Sequence, residues 1–165
     1  MKKSPKKIVL AKAIARDVLK WLKTKTVVRP TELCYINTDD EAKALQRAAK
    51  ASEPLRSKHF KSCRACVIGA AAIAALDHLE QTYARESSRE LIYFLRPAFH
   101  ESELKSMERC FERGFLNTKA VEQFQEIYSR PRERMEVIFR QVVRTGTFDP
   151  HRLPMKRRTK PAQKS

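Results

Sequence analysis

One segment, residues 63 to 80, is apolar on nearly every side of the helix that its composition favours. Valine, isoleucine and leucine alternate there with runs of alanine, and the whole chain contains only three glycines. Alanine is the strongest helix former, and a helix that is apolar all round must be covered by other elements. The segment therefore predicts a central buried helix, in which Gly69 and the alanines let neighbouring helices approach closely.

Helix-start residues and three- to four-residue apolar spacing recur through the remaining sequence. Ser4 and Pro5 predict the start of a basic amphipathic helix, and Thr38 with Glu41 forms a capping box. Further short helices are expected after Ser87, over residues 101 to 113, after Asn117 or Thr118, and over residues 131 to 146. Residues 26 to 37 contain β-formers around a proline, which predicts an extended connector able to pair with another short segment. The expected fold class is all-α: one compact bundle of about five to seven helices.

Positive charge is concentrated at the two ends of the chain. The sequence holds 35 Lys and Arg against 19 Asp and Glu, a net charge of +16. Residues 1 to 30 carry ten basic side chains and only Asp17, residues 151 to 165 carry six and no acid, and the stretch between them is near neutral. We expect a single domain over residues 1 to 150 and a flexible, disordered basic tail over residues 151 to 165.

The basic ends are the feature that most directly suggests a partner. If six to eight of their side chains contacted phosphates, the logarithm of the binding constant K would fall with the logarithm of the salt concentration with a slope of about −5 to −7. Such contacts position a protein without reading sequence, and no recognition helix is identifiable. The candidate nucleic-acid-binding residues are Lys2, Lys3, Lys6, Lys7, Lys12, Arg16, Lys20, Lys23, Lys156, Arg157, Arg158 and Lys160. Basic ends that only keep the protein in solution remain the competing interpretation.

Three sequence patterns together resemble a known group of proteins. Cys63-Arg64-Ala65-Cys66 runs into Gly69-Ala70 as a C-x-x-C-A-x-G-A-like helix start. Phe99, Leu104, Met107, Glu108, Phe111 and Glu112 resemble an F-x-x-x-x-L-x-x-I-E-x-x-F-E-like helix, and Gly146 to Pro150 is similar to a C-terminal G-x-F-x-P-like turn. The combination resembles an uncharacterised family of small helical bacterial and phage or prophage proteins. That resemblance implies a compact helical fold and a phage setting, and it carries over no activity and no catalytic residue.

The C-x-x-C pair has three interpretations. Cys63 and Cys66 pack as small hydrophobes on one face of the buried helix, or they supply half of a zinc site with His59, or they form a redox pair. A redox pair needs a strand–helix context that the sequence does not predict, and strong zinc sequences show two ligand pairs. Packing is preferred, so neither a metal nor a cofactor is expected.

The sequence contains no recognisable catalytic constellation. A glycine-rich phosphate loop, G-x-S-x-G, H-E-x-x-H and paired carboxylates are all missing, which predicts that the protein is not an enzyme. Four cysteines and no apolar run of membrane-spanning length predict a cytoplasmic protein. The predicted function is non-enzymatic binding of nucleic acid through the basic N- and C-terminal segments. The alternative is a phage-borne interaction or inhibitor protein that acts on an acidic host protein or sequesters a small anionic ligand.

Overall fold

The computed structural model describes residues 2–80, 88–114 and 118–155, and within these ranges the fold is mostly helical. Two short strands accompany the helices, and the all-α fold class is confirmed apart from this small sheet. The helices are α1 (Pro5–Thr24), α2 (Thr38–Ala51), α3 (Val67–Ala75), α4 (Ser88–Leu95), α5 (Glu101–Phe111), α6 (Lys119–Ile127) and α7 (Pro131–Thr145). The strands are β1 (Val28–Pro30) and β2 (Cys63–Ala65).

α1 and α7 pack against each other in opposite directions. At one end, Arg132 near the start of α7 donates a hydrogen bond of 2.7 Å to the carbonyl of Leu22 near the end of α1. At the other end, Gly146 caps α7 with a φ of 79°, and a Cβ there would lie 2.4 Å from Ile8 Cγ2. The Ser4 hydroxyl accepts from Lys7 N, so the predicted start of α1 is confirmed.

α3 lies at the centre of the core, and all nine of its residues are buried. It packs against α1, α4 and α5. At Gly69 a Cβ would lie 1.6 Å from the carbonyl oxygen of Tyr35, so the backbone of residues 31–37 can cross the helix only at a glycine. The predicted central buried helix is confirmed, but its predicted start is wrong, because the helix begins at Val67 and not at residue 63.

Residues 63–65 form β2 because the extended connector needs a backbone partner. β1 and β2 pair in parallel, with Val28 opposite Cys63, and Ile36 bridges Ala65 in the antiparallel sense. Backbone amides and carbonyls buried without partners would cost several kcal/mol in total, on the order of 1–3 kcal/mol each. The expected pairing of the connector is confirmed. Asn37, whose side chain accepts from Asp40 N, caps α2 in place of the predicted Thr38.

The core extends past the predicted boundary at residue 150. Pro150–Arg152 form a 3-10 turn, Leu153 is 8% exposed, and Met155 packs against the core. These apolar side chains anchor the first part of the segment that was predicted to be a flexible tail. The rest of that segment, residues 156–165, lies outside the described residues. In the described ranges no helix has the length and apolar character that crossing a membrane requires.

Candidate nucleic-acid interface

The outer side of α1 carries a row of cationic side chains, which we call the basic face. Residues at i, i+3, i+4 and i+7 share one side of a helix, and the buried residues of α1 occupy the opposite side against the core, whereas Val9 is exposed among the cations. Four of the cations are exposed and Lys12 is half-buried. None of them makes an ion pair among the described residues. The basic face comprises Lys6, Lys12, Arg16, Lys20 and Lys23.

The one acidic residue of α1 lies at the border of the basic face and is already partnered. Asp17 is half-buried, and its Oδ2 lies 2.6 Å from Nε2 of His78, which follows α3. This contact directs the carboxylate towards the body of the protein. In the described parts of the chain Asp17 therefore makes no ion pair with a cation of the basic face.

Lys3 does not belong to the exposed cations, which corrects the prediction that it contacts phosphate. Its side chain is 1% exposed, and Nζ lies 3.0 Å from Glu103 Oε1 and 2.8 Å from the carbonyl of Gly146. The ammonium also lies 4.7 Å from the centre of the Phe99 ring. Burial lowers the pKa of Lys3, and the hydrogen bond to Glu103 opposes that shift. The side chain joins the start of the chain to α5 and the end of α7.

The remaining predicted binding residues have different placements. Lys2 is exposed and Lys7 is half-buried, so Lys2 continues the positive charge beyond the first turn of α1. The four candidates of the C-terminal segment, Lys156, Arg157, Arg158 and Lys160, lie outside the described residues. The structure therefore brings together only the five α1 candidates of the basic face, whereas Lys7 lies near the buried side of the helix and Lys2 is exposed just before its start.

A cleft of about 410 Å³ opens where α1 ends, and we call it the basic cleft. Three elements meet there: the end of α1, β1 with the residue before β2, and the start of α7. Four of its lining residues are cationic and none is acidic. The lining residues are Leu22, Lys25, Val28, Arg29, Pro30, Ser62, Arg130, Pro131 and Arg132.

Backbone geometry holds the basic cleft in shape. Lys25 ends α1 in the left-handed region with a φ of 55°, and its amide donates to the carbonyl of Trp21. Ser62 N then donates to Thr26 O at 2.6 Å, which holds the segment after α1 against the segment before β2. The start of α7 is held against the end of α1 by the hydrogen bond from Arg132 to Leu22 O.

Sequence reasoning missed the contribution of α7 to this site. Arg130 and Arg132 flank the helix-starting Pro131, and both are exposed. The signal in the sequence was the R-P-R pattern at a helix start, but only the packing of α7 on α1 places it beside Lys25. Arg29 was counted in the basic N-terminal charge, and β1 now brings it to the same cleft.

The C-x-x-C residues do not converge on a metal-binding arrangement with His59. Cys63 lies in β2, and Cys66 precedes the first residue of α3. His59 Nδ1 accepts from Arg56 N, and its Nε2 lies 3.3 Å from Glu53. No group of three or more His, Cys, Asp or Glu side chains in the described ranges is arranged to hold a metal ion.

The thiols of this pair are also poor nucleophiles. Burial raises the pKa of Cys63 and the pKa of Cys66 to about 12 in each case. A thiolate is the reactive species in redox and nucleophilic chemistry, and these groups remain protonated near neutral pH. Both side chains therefore act in packing, although neither lies on the single helix face where packing was predicted.

A second charged cluster, centred on Arg134, was not anticipated. Its guanidinium is fully buried and donates to the carbonyls of Phe111, Tyr128 and Ser129 at 2.8–2.9 Å, and also to Glu32. Buried guanidinium groups are stable only when their donors are satisfied in this way. The cluster ties the connector after β1 to α5 and α7.

Two carboxylates of α5 and its C-terminal end hold the same connector. Glu112 accepts a hydrogen bond of 2.7 Å from Leu33 N, and Glu108 accepts one from the Tyr35 hydroxyl. Burial raises the pKa of Glu112. All these polar groups have partners within the protein, so the cluster is a structural anchor and the basic face and basic cleft are the candidate binding surface.

No protein-family model, curated protein or solved structure matches this chain. The assignment of a function therefore depends on the geometry and charge of the basic face and the basic cleft. The resemblance to small phage and prophage proteins stays a prediction.

Proposed function

We propose that this protein is a non-enzymatic nucleic-acid-binding protein that contacts the phosphate backbone with the basic face of α1 and the adjoining basic cleft. The observation that carries the proposal is the continuity of unpaired positive charge from Lys6 along α1 to Lys25, where the basic cleft begins. At a rise of 1.5 Å per residue, α1 spans about 30 Å, which is long enough to follow several successive phosphates.

The exposure of these cations supports binding over a purely structural role. A lysine that stabilises a fold by an ion pair holds a carboxylate nearby, as Lys3 holds Glu103 at 3.0 Å. The basic face has no such carboxylates, so its charge is available to a polyanion. Contact with phosphates would release condensed counterions, which makes the affinity fall steeply with salt.

The test compares two variants that lose the same charge. In the first, each residue of the basic face is replaced by Gln: Lys6, Lys12, Arg16, Lys20 and Lys23. In the matched control, five exposed lysines on other elements are replaced by Gln: Lys43, Lys50, Lys58, Lys105 and Lys119. Binding of a fluorescent DNA duplex is measured by anisotropy across a salt series.

We expect a slope of log K on log salt of about −5 to −7 for the wild type. The basic-face variant should give a slope shallower by about 4, because each lost phosphate contact removes about 0.9 from it. The control should keep the wild-type slope. No binding by the wild type at low salt, or an equal loss in both variants, contradicts the proposal.

The alternative, an interaction or inhibitor protein acting on an acidic host protein or a small anion, stays a prediction. In that alternative the near-neutral body is the active part and the basic ends assist it. Purification from cells with and without nuclease treatment separates the two functions. A protein that remains bound after nuclease treatment favours the alternative.

A further inference from the structure

The basic cleft combines an apolar base with a cationic rim. Leu22 and Val28 are each 3% exposed and form the base, and the half-buried rings of Pro30 and Pro131 lie beside them. Among the described residues no aromatic ring lines the cleft, so a nucleobase there would make apolar contact with these side chains instead of stacking on a ring, and every base presents a flat face for such contact. The basic cleft therefore offers more than positive charge.

The rim supplies donors for phosphate groups. Lys25, Arg29 and Arg130 are exposed, and Arg132 uses one guanidinium N–H to donate to Leu22 O. An arginine carries five N–H donors in a planar fork that matches phosphate oxygens, so this hydrogen bond leaves other donors of the exposed Arg132 unused. Because no carboxylate lines the cleft, these cations have no competing partner within its lining.

The volume of the basic cleft restricts what can enter it. About 410 Å³ lies within the range of sites for small organic ligands, about 300 to 1,000 Å³. A duplex keeps its bases stacked inside and presents its phosphates on a convex surface, so its bases cannot reach the base of the cleft. A single unstacked nucleotide, with its base inside and its phosphates at the rim, matches both the size and the charge.

We propose that the basic cleft binds one unstacked nucleotide of a single-stranded nucleic acid, while the basic face follows the adjoining phosphates. This inference rests on the proposed function and specifies its ligand: the protein prefers single strands to duplexes. The backbone hydrogen bonds at Lys25 and Ser62 hold the cleft in shape before binding. The nucleic acid, and not the protein, therefore changes conformation when they bind.

Charge alone predicts the opposite preference. A duplex has the higher density of phosphates and releases more counterions per contact, about 0.9 against about 0.7 for a single strand. A protein that used only the basic face would therefore bind duplexes at least as tightly as single strands. A preference for single strands requires a contact that the duplex does not offer, and the basic cleft provides it.

The experiment measures the ratio of two affinities at one salt concentration, by anisotropy. The probes are a deoxythymidine strand of about 12 nucleotides and a blunt duplex of the same length, a size within the range of single-strand sites. The test variant replaces Arg29 and Arg130 with Gln, which leaves the hydrogen bond of Arg132 to α1 in place. The matched control replaces Lys12 and Arg16 of the basic face with Gln, and circular dichroism verifies the helicity of both.

We expect the wild type to favour the single strand at least about fivefold. The Arg29 and Arg130 variant should lose that preference, because it keeps the basic face and loses two of the four cations at the rim of the cleft. The control should bind both probes more weakly and keep the wild-type ratio.

Three outcomes overturn the inference in distinguishable ways. In the first outcome, the wild type binds the duplex as tightly as the single strand or more tightly, or the cleft variant loses the same factor of affinity for both probes. Either result removes the nucleotide site and leaves the proposed function standing. ATP is measured as a competitor of the labelled strand under the same conditions, and tighter binding of ATP than of the strand assigns the cleft to a free nucleotide. Absence of binding to either probe at low salt removes the proposed function as well.

Discussion

Among the described residues, the buried cations of this protein have carboxylate partners, and the cations of its candidate binding surface do not. Lys3 and Arg134 are buried, and each donates to several acceptors that include a carboxylate. The cations of the basic face and the basic cleft are solvated and have no carboxylate partner in the described parts of the chain. The same two residue types therefore stabilise the fold in one region and remain available for binding in the other.

The difference follows from the free energy of desolvation. A buried ammonium or guanidinium loses several kcal/mol of hydration, which only a complete set of hydrogen bonds offsets. An exposed cation keeps its water, so it needs no partner and contributes little to stability. Removing an interior cation should consequently change the stability of the protein, and removing an outer cation should change its binding.

The largest effect is expected at Arg134. The Arg134→Met variant leaves the carbonyls of Phe111 and Tyr128 without this donor, whereas Ser129 O and Glu32 keep their contacts with Arg113. We expect the free energy of unfolding to fall by about 4 kcal/mol, as when one partner of a buried ion pair is removed. Urea denaturation followed by circular dichroism measures the loss.

The control for this variant is Arg144→Met, an exposed position on the same helix. It should change the stability by less than about 0.5 kcal/mol. Similar stabilities of the two variants would mean that the Arg134 cluster does not hold the connector in place, and the contrast between interior and outer cations would fail.

The buried thiols predict a second large effect, at alkaline pH. Burial raises the pKa of Cys63, Cys66 and Cys110 from 9.0 to about 12 in the folded protein. Between those values the unfolded chain releases protons that the native state retains, so the stability is complete below pH 9 and falls as the pH rises. The loss is about 1.4 kcal/mol per pH unit for each thiol. The lowered pKa of Lys3 acts in the opposite direction.

Denaturation at pH 8 and at pH 10 tests this expectation, with a combined loss of about 4 kcal/mol from the three thiols at pH 10. The Cys110→Ala variant should lose about a third less stability between the two pH values, whatever its stability at pH 8. An unchanged pH dependence in this variant would mean that Cys110 is already ionised or exposed in the native state. Binding through the outer cations should instead respond to salt.

Local signals in the sequence predicted the helices well. Ser4, Thr118 and Gly146 act within one helical turn of their own positions, and each caps the helix that its sequence pattern indicated. Apolar spacing likewise predicted which side of each helix is buried. These features depend on neighbouring residues, so a single sequence contains them in full.

The features that failed depend on residues far apart in the chain. Lys3 is 100 positions from Glu103, and Arg134 is 102 positions from Glu32. The strand at residues 63–65 exists because β1 and Ile36 lie beside it. Nothing in a run of lysines distinguishes the one that folds inward, since only the packed carboxylate and carbonyl make its burial favourable.

One part of the candidate site depends on neighbouring residues and the other part depends on residues far apart in the chain. The basic face was predictable from helical spacing, because α1 carries these five cations on one side and its buried residues on the other. The basic cleft was not predictable, because it needs the ends of α1 and α7 to meet. Arg134 did carry a local signal: it lies one turn before Ile138 on the apolar side of α7, where a charged residue requires a buried partner.

Two adjacent lysines provide the smallest and sharpest test of the comparison. Lys3→Met removes the donor from Glu103, which keeps its hydrogen bonds from His100 N at 2.8 Å and Phe148 N at 3.0 Å. We therefore expect a loss of about 2 kcal/mol in the free energy of unfolding, with the salt slope of nucleic-acid binding unchanged.

Lys2→Met should do the reverse, because Lys2 is exposed. Its stability should change by less than about 0.5 kcal/mol, and its salt slope should become shallower by up to about 0.9 if Lys2 contacts a phosphate. Both variants lose one charge at neighbouring positions, so net charge cannot explain a difference between them. Equal effects on binding would show that the number of cations matters and their burial does not, which would remove the distinction between the two regions.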